Sequence, residues 1–222
     1  MAPNPLPAAL KILAHHYASF TEAKAFAADY DQLVPSDTKA WSQILVSALT
    51  GIKGLARKKG ADLIDGSDVK AANCWSAIDT PRFNGCLPAG RVSATSRRAD
   101  NVSALDGIPY LFFVLWDERP DNSKPRCRVW CVRPSRDRIF RAMAAKWYEL
   151  RRKGVIKSDN FQLHPPRHKN TDIFKNECGN LSYPLLFSAV WEEDDKRFSA
   201  EAYNPDVLER GECRAIHHEA RK

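Results

Sequence analysis

The stretch Gly60-Ala-Asp62-Leu-Ile-Asp65-Gly66-Ser-Asp68-Val-Lys70-Ala-Ala-Asn73 sets several carboxylates and one ammonium within a few residues of each other. It reads as two short strands, Ala61–Asp65 and Ser67–Ala72, joined by a tight turn at Gly66. On a strand, Asp68 and Lys70 stand two apart and project from one face. Asp62, on the preceding strand, comes back over that face, and Asp65 is the alternative first carboxylate. A strand otherwise made of Val and Ala has no packing reason to set a carboxylate beside an ammonium. Two hard oxygen ligands suit Mg²⁺, with Mn²⁺ able to substitute, and leave room for waters and a substrate phosphate. The lysine can orient and help deprotonate an attacking water, or neutralise charge on the phosphate. Such a centre hydrolyses phosphodiesters by in-line displacement. The plainer alternative is an ion pair at a hairpin edge, and an Asp-x-Lys triplet is common by chance.

A carboxylate site of this kind needs a polyanion and a framework. The chain has 222 residues, 34 Lys+Arg against 27 Asp+Glu, and a formal net charge of +7. The charge is unevenly placed. Residues 1–50 carry 3 bases and 4 acids, whereas residues 119–157 carry 13 bases against Asp121, Asp137 and Glu149. Arg outnumbers Lys in that basic middle, which suits bidentate contacts to phosphate or guanine. Arg57-Lys58-Lys59 adds a second basic cluster, and Arg91 lies in a Ser-rich loop. An anionic partner is the one this distribution favours, with nucleic acid the first candidate.

With 6 Trp, 10 Phe and 6 Tyr the bulk of the chain must fold. No apolar run approaches the roughly 20 residues that span a bilayer. The start carries no secretory signal pattern, so a cytoplasmic protein is expected. The cysteines, Cys127 and Cys131 among them, read as reduced core filler, and no structural zinc is expected. Residues 1–56 read as a helical segment, a candidate for dimerisation, and 57–222 as the catalytic core. Within the first part, Ser19-x-x-Glu22 fits a capping box. A stripe of Trp41, Ile44, Leu45, Ala48 and Ile52 marks a helix over 37–54, stopped by Gly54. Ile108–Trp116 reads as a buried central strand and Arg126–Val132 as a second strand, while Ser135 caps a helix running to about Lys153. The fold class expected is α/β or α+β, with a mixed central sheet flanked by helices.

Asp62…Asp68-Val-Lys70 resembles the PD-(D/E)xK nuclease signature, with no Pro before the first Asp, Asp as the second acid, and a short gap between them. The segments Asp65–Asn73, Trp75–Asn84, Phe113–Asp117 and Phe161–Arg167 together resemble the MamI-type restriction endonucleases. That resemblance implies a restriction-endonuclease-like core and a homodimer cutting both strands of an interrupted palindrome, GAT, four unread base pairs, ATC. It also implies a cognate DNA methyltransferase as genetic partner. The upstream helix acid of such nucleases falls on Glu22, the only Glu in the first half of the chain, which a capping role explains equally well.

Candidate DNA-binding side chains follow. Asn73, Arg82, Asn84 and Arg91 lie on or just after the active segment. Arg136 and Arg138 open the long helix and suit phosphates. Gln162, His164, Arg167, His168 and Asn170 flank two prolines that hold an extended backbone. Arg167 suits guanine, and Gln162 or Asn170 suits adenine. Two other functions share these features: a repair or junction nuclease of the same fold, and a non-catalytic DNA-binding protein in which Asp68 and Lys70 are only an ion pair.

Overall fold

The apolar run around residue 112 becomes an interior strand of a sheet, because a strand with no polar face must be covered on both sides. The computed structural model describes residues 4–34, 37–55, 60–75, 77, 80–88, 101–166, 173–176 and 179–215. In chain order these give α1 (Leu6–Asp29), α2 (Lys39–Thr50), β1 (Asp68–Asn73), β2 (Leu111–Glu118), β3 (Pro125–Val132), α3 (Arg138–Arg152), β4 (Ile173–Asn176), β5 (Gly179–Ser182), β6 (Leu185–Glu192), β7 (Arg197–Tyr203), α4 (Val207–Arg210) and β8 (Arg214–Ala215). The main sheet runs β1-β2-β3-β6-β7, and β4-β5-β8 form a small second sheet. β1 pairs with β2 in parallel, and every other neighbour in the main sheet is antiparallel. The class is mixed α+β, as the pattern of elements implies.

Alternation along β2 divides the core in two. Leu111, Phe113 and Leu115 face α3, where Phe140, Trp147 and Tyr148 cover them. Phe112, Val114 and Trp116 face α1 and α2, where Leu13, Phe20, Leu45 and Leu49 cover them. β3 obeys the same rule: Trp130 and Val132 lie in the first cluster, and Cys127, Val129 and Cys131 in the second.

Several local expectations change. Ala61–Asp65 is not a strand: only Leu63 bridges, antiparallel to Gly54, so the hairpin is replaced by a loop leading into an edge strand. Ser19-x-x-Glu22 caps nothing, since it falls inside the continuous α1. In α2 the buried face is Ser42, Leu45, Val46 and Leu49, so Ile44 stays exposed, and the helix ends at Gly51 in the left-handed conformation. Asp137, not Ser135, caps α3, its carboxylate accepting the Phe140 N–H at 2.7 Å. Ser135 lies two residues too early to reach that orphan donor. Two arginines of the basic middle are interior: Arg126 and Arg128 are 3% and 4% exposed and both pair with Asp117. No described helix is long and apolar enough to cross a membrane.

Candidate active site

Among the described residues β1 is an edge strand with one neighbour, so its second backbone edge is open to other partners. Parallel register sets Asp68 against Leu111, Lys70 against Phe113 and Ala72 against Leu115, which places all three β1 side chains on the α3 face. Lys70 Nζ lies 2.6 Å from Asp68 Oδ2, and both side chains are half-buried.

Asp62 reaches the same point from the loop. Its Oδ2 accepts the Val69 N–H at 2.9 Å, occupying the edge where a further strand would pair. Two backbone bonds shape the approach: the N–H groups of Asp62 and Leu63 both donate to the Ser67 carbonyl at 3.1 Å. Gly66 permits the turn at φ 96°, and a Cβ there would stand 2.8 Å from the Gly107 carbonyl. Leu63, fully buried, pins the loop into the α1/α2 core.

Asp62 is 7% exposed, and its carboxyl lies close enough to that of Asp68 to be perturbed by it. Burial and the Asp68 carboxyl push its pKa up to about 6, against the Val69 N–H and Lys39, which favour the charged form. Gln43 Nε2 donates to Asp62 Oδ1 at 2.5 Å, and Lys39 Nζ stands 3.9 Å from the same oxygen. Both come from α2, whose first turn is held to the sheet by the Trp116 indole N–H donating to Ser42 Oγ.

Asp65 turns elsewhere. Its two oxygens accept from the Ser67 N–H and hydroxyl at 2.9 and 2.8 Å, so Asp62 is the acid brought to Asp68. Glu22 is exposed on α1 and does not line the cleft described next.

The cleft, of about 670 Å³, is lined by Lys39 and Lys70, the cationic partners of the two acids. Asn73, Arg82, Asn84 and Gln162 join them on its walls, as does Asn160. Arg136 and Arg138 are exposed but line no part of it, and His164 lies just beyond Leu163, also outside the lining. Arg57, Lys58, Lys59, Arg91, Arg167, His168 and Asn170 lie outside the described residues.

Gln43, Lys39 and Asn160 escaped the sequence reading. Gln43 sits beside apolar neighbours on an ordinary amphipathic helix, and no short spacing ties it to Asp62 nineteen positions on. A polar residue on the half-buried flank of α2 was the only available signal.

Like-charged carboxyls held together with one pKa raised are the arrangement a hard cation relieves, so the donor set fits a divalent metal. Among the described residues no group of three or more His, Cys, Asp or Glu side chains could hold one. Water and phosphate oxygens would therefore complete the shell of a two-carboxylate site.

A family model described as MamI restriction endonuclease matches residues 25–194 of the chain. The type II restriction enzyme MamI of Microbacterium ammoniaphilum is 35% identical over 162 residues, covering 69% of this chain and 52% of that protein. The chain thus aligns with about half the length of that relative. No solved structure matches.

Proposed function

The chain belongs to the MamI restriction endonuclease family, and we propose that it is a metal-dependent endodeoxyribonuclease of type II restriction, built around Asp62, Asp68 and Lys70. One observation carries the reading: two carboxyls from separate elements meet at the sheet edge with Lys70 beside them, on the flank of a cation-lined cleft.

The substrate is double-stranded DNA, drawn to the cleft by Lys39 and Arg82. Asp62 and Asp68 would hold Mg²⁺, with Mn²⁺ able to substitute, and the bound cation would supply Lewis acidity at the scissile phosphate. Gln43, donating to Oδ1, and the Val69 N–H, donating to Oδ2, fix the rotation of the Asp62 carboxyl. Lys70 Nζ orients the attacking water and offsets the negative charge that develops on phosphorus oxygens. Water adds to phosphorus, the bond to the 3′ oxygen breaks, and the products are 5′-phosphate and 3′-hydroxyl ends. Two copies related by a two-fold axis would cut both strands of an interrupted palindrome such as GAT, four unread base pairs, ATC. A DNA methyltransferase would protect the host sequence.

The test is plasmid DNA incubated with the purified protein and Mg²⁺, with EDTA as control. Discrete fragments that vanish in EDTA, and in Asp68→Ala, support the reading. Cleavage confined to branched or damaged duplexes replaces restriction with repair. An intact plasmid under every divalent ion tried, or cutting undiminished in Asp68→Ala, overturns it.

A further inference from the structure

Facing the Asp68–Lys70 pair is a second structure, built from chain segments nearly eighty residues apart. Phe83 and Leu163 form an antiparallel bridge, their N–H groups donating reciprocally to each other's carbonyls at 2.8 and 3.0 Å. The Cys86 N–H extends the pairing to the Phe161 carbonyl at 3.1 Å. Alternation then sorts the side chains. Phe83, Phe161 and Leu163 are buried in the α3 core, while Arg82, Asn84, Asn160 and Gln162 face the cleft. The result is a short two-stranded ribbon, apolar beneath and amide-rich above.

Its outer side chains hold one another in place. Asn84 Oδ1 accepts from Gln162 Nε2 at 2.9 Å and from Asn160 Nδ2 at 3.2 Å. Asn160 Oδ1 accepts the Gly85 N–H at 2.7 Å, and Arg82 reaches Gln162 Oε1 at 3.5 Å. The ribbon also abuts the candidate catalytic pair, since a Cβ on Gly85 would stand 3.9 Å from Lys70 Nζ.

Resting on the endonuclease reading, we propose that this ribbon enters the major groove and reads base edges next to the scissile phosphate, with Gln162 directed at adenine and Arg82 at guanine. A two-stranded ribbon fits the major groove. Amide side chains match the N6/N7 edge of adenine and a guanidinium matches O6/N7 of guanine. A backbone-only contact surface would carry cations; among the described residues this one carries three amides and a single arginine, pre-oriented by mutual bonds. Asn160 and Asn84 are positioning residues, because the side-chain oxygen of Asn160 is spent on Gly85 and that of Asn84 on Gln162 and Asn160.

The experiment pairs selection of bound duplexes from a randomised pool, in Ca²⁺, with mapping of cut ends in Mg²⁺. It compares wild type, Gln162→Ala, Arg82→Ala and Lys70→Ala. The expected result is that Gln162→Ala and Arg82→Ala each lose discrimination of about 5- to 150-fold at a base pair beside the cut. Lys70→Ala should keep the selected sequence while losing cleavage. Replacing the affected purine by its 7-deaza analogue should weaken wild type but not the matching variant. If both ribbon variants retain the wild-type sequence preference, the ribbon proposal fails and the endonuclease reading stands. If wild type neither cuts nor selects any sequence, both fail.

Discussion

Lys70 Nζ rests 2.6 Å from Asp68 Oδ2 on one face of β1, a pairing that the two-residue repeat of a strand imposes on Asp-Val-Lys. Lys70→Ala should therefore lower single-turnover cleavage by about 100- to 10,000-fold, the range typical of a lost proton-transfer group. Duplex binding in Ca²⁺ should change little. Wild-type cleavage rates in Lys70→Ala would remove the lysine from the chemistry.

The Asp62 pKa of about 6 lies above its ordinary 3.8, so the folded state favours the protonated acid. Its stabilising contribution is complete below the unfolded value and is lost as pH rises through about 6. At pH 8 without metal, an ionised Asp62 then stands against the Asp68 carboxyl, offset only in part by Lys39 and Lys70. Asp62→Asn should raise the thermal midpoint without metal more at pH 8 than at pH 5. The same protonation competes with a cation, so the midpoint shift that Mg²⁺ gives to wild type should shrink below about pH 6. A pH-independent Mg²⁺ shift would refute the coupling.

His16 is buried against Trp41, Trp75 and Trp116, and among the described residues neither ring nitrogen has a hydrogen-bond partner. Burial lowers its pKa to about 4 from 6.5. Neutral His16 thus contributes fully above about pH 6.5, and the contribution is lost as pH falls toward 4. His16→Phe should flatten the decline of stability across that window relative to wild type. Parallel urea-unfolding curves for the two proteins between pH 6.5 and 4 would contradict this.

Asp117 anchors the two interior arginines: its carboxylate accepts from Arg126 at 3.0 and 2.8 Å and from Arg128 at 2.7 Å. Arg128 also donates to the Pro166 carbonyl at 2.9 Å, tying β3 to the end of the proline loop that follows the ribbon. Asp117→Ala would leave both guanidinium groups buried without their counter-ion. A loss of about 3–5 kcal/mol is expected by denaturant unfolding. A loss under about 1 kcal/mol would show that the network is dispensable.

Much was legible in the sequence because it rests on local rules. The apolar run at β2, the alternation of β3 and the stripe of α3 each follow from covering a hydrophobic face at the period of its element. Asp68 and Lys70 share a face for the same reason, and a strand's geometry needs no tertiary information. The basic middle misled in part: charge counted along the chain cannot show that Arg126 and Arg128 point inward to Asp117.

What the tertiary structure decided are relationships between segments far apart in the chain. The sequence allowed either Asp62 or Asp65 as the first acid. Asp62 is the one brought to Asp68, because β1 pairs in parallel with a distant β2 and leaves an edge whose Val69 N–H donates to the Asp62 carboxylate. Asp65 is consumed within its own turn by Ser67. Gln43 arrives from a helix on the opposite face of the sheet, and Asn84 meets Gln162 across 78 residues. Side-chain period is written in neighbouring residues, whereas an edge, a bridge or a cleft wall exists only once distant segments have paired.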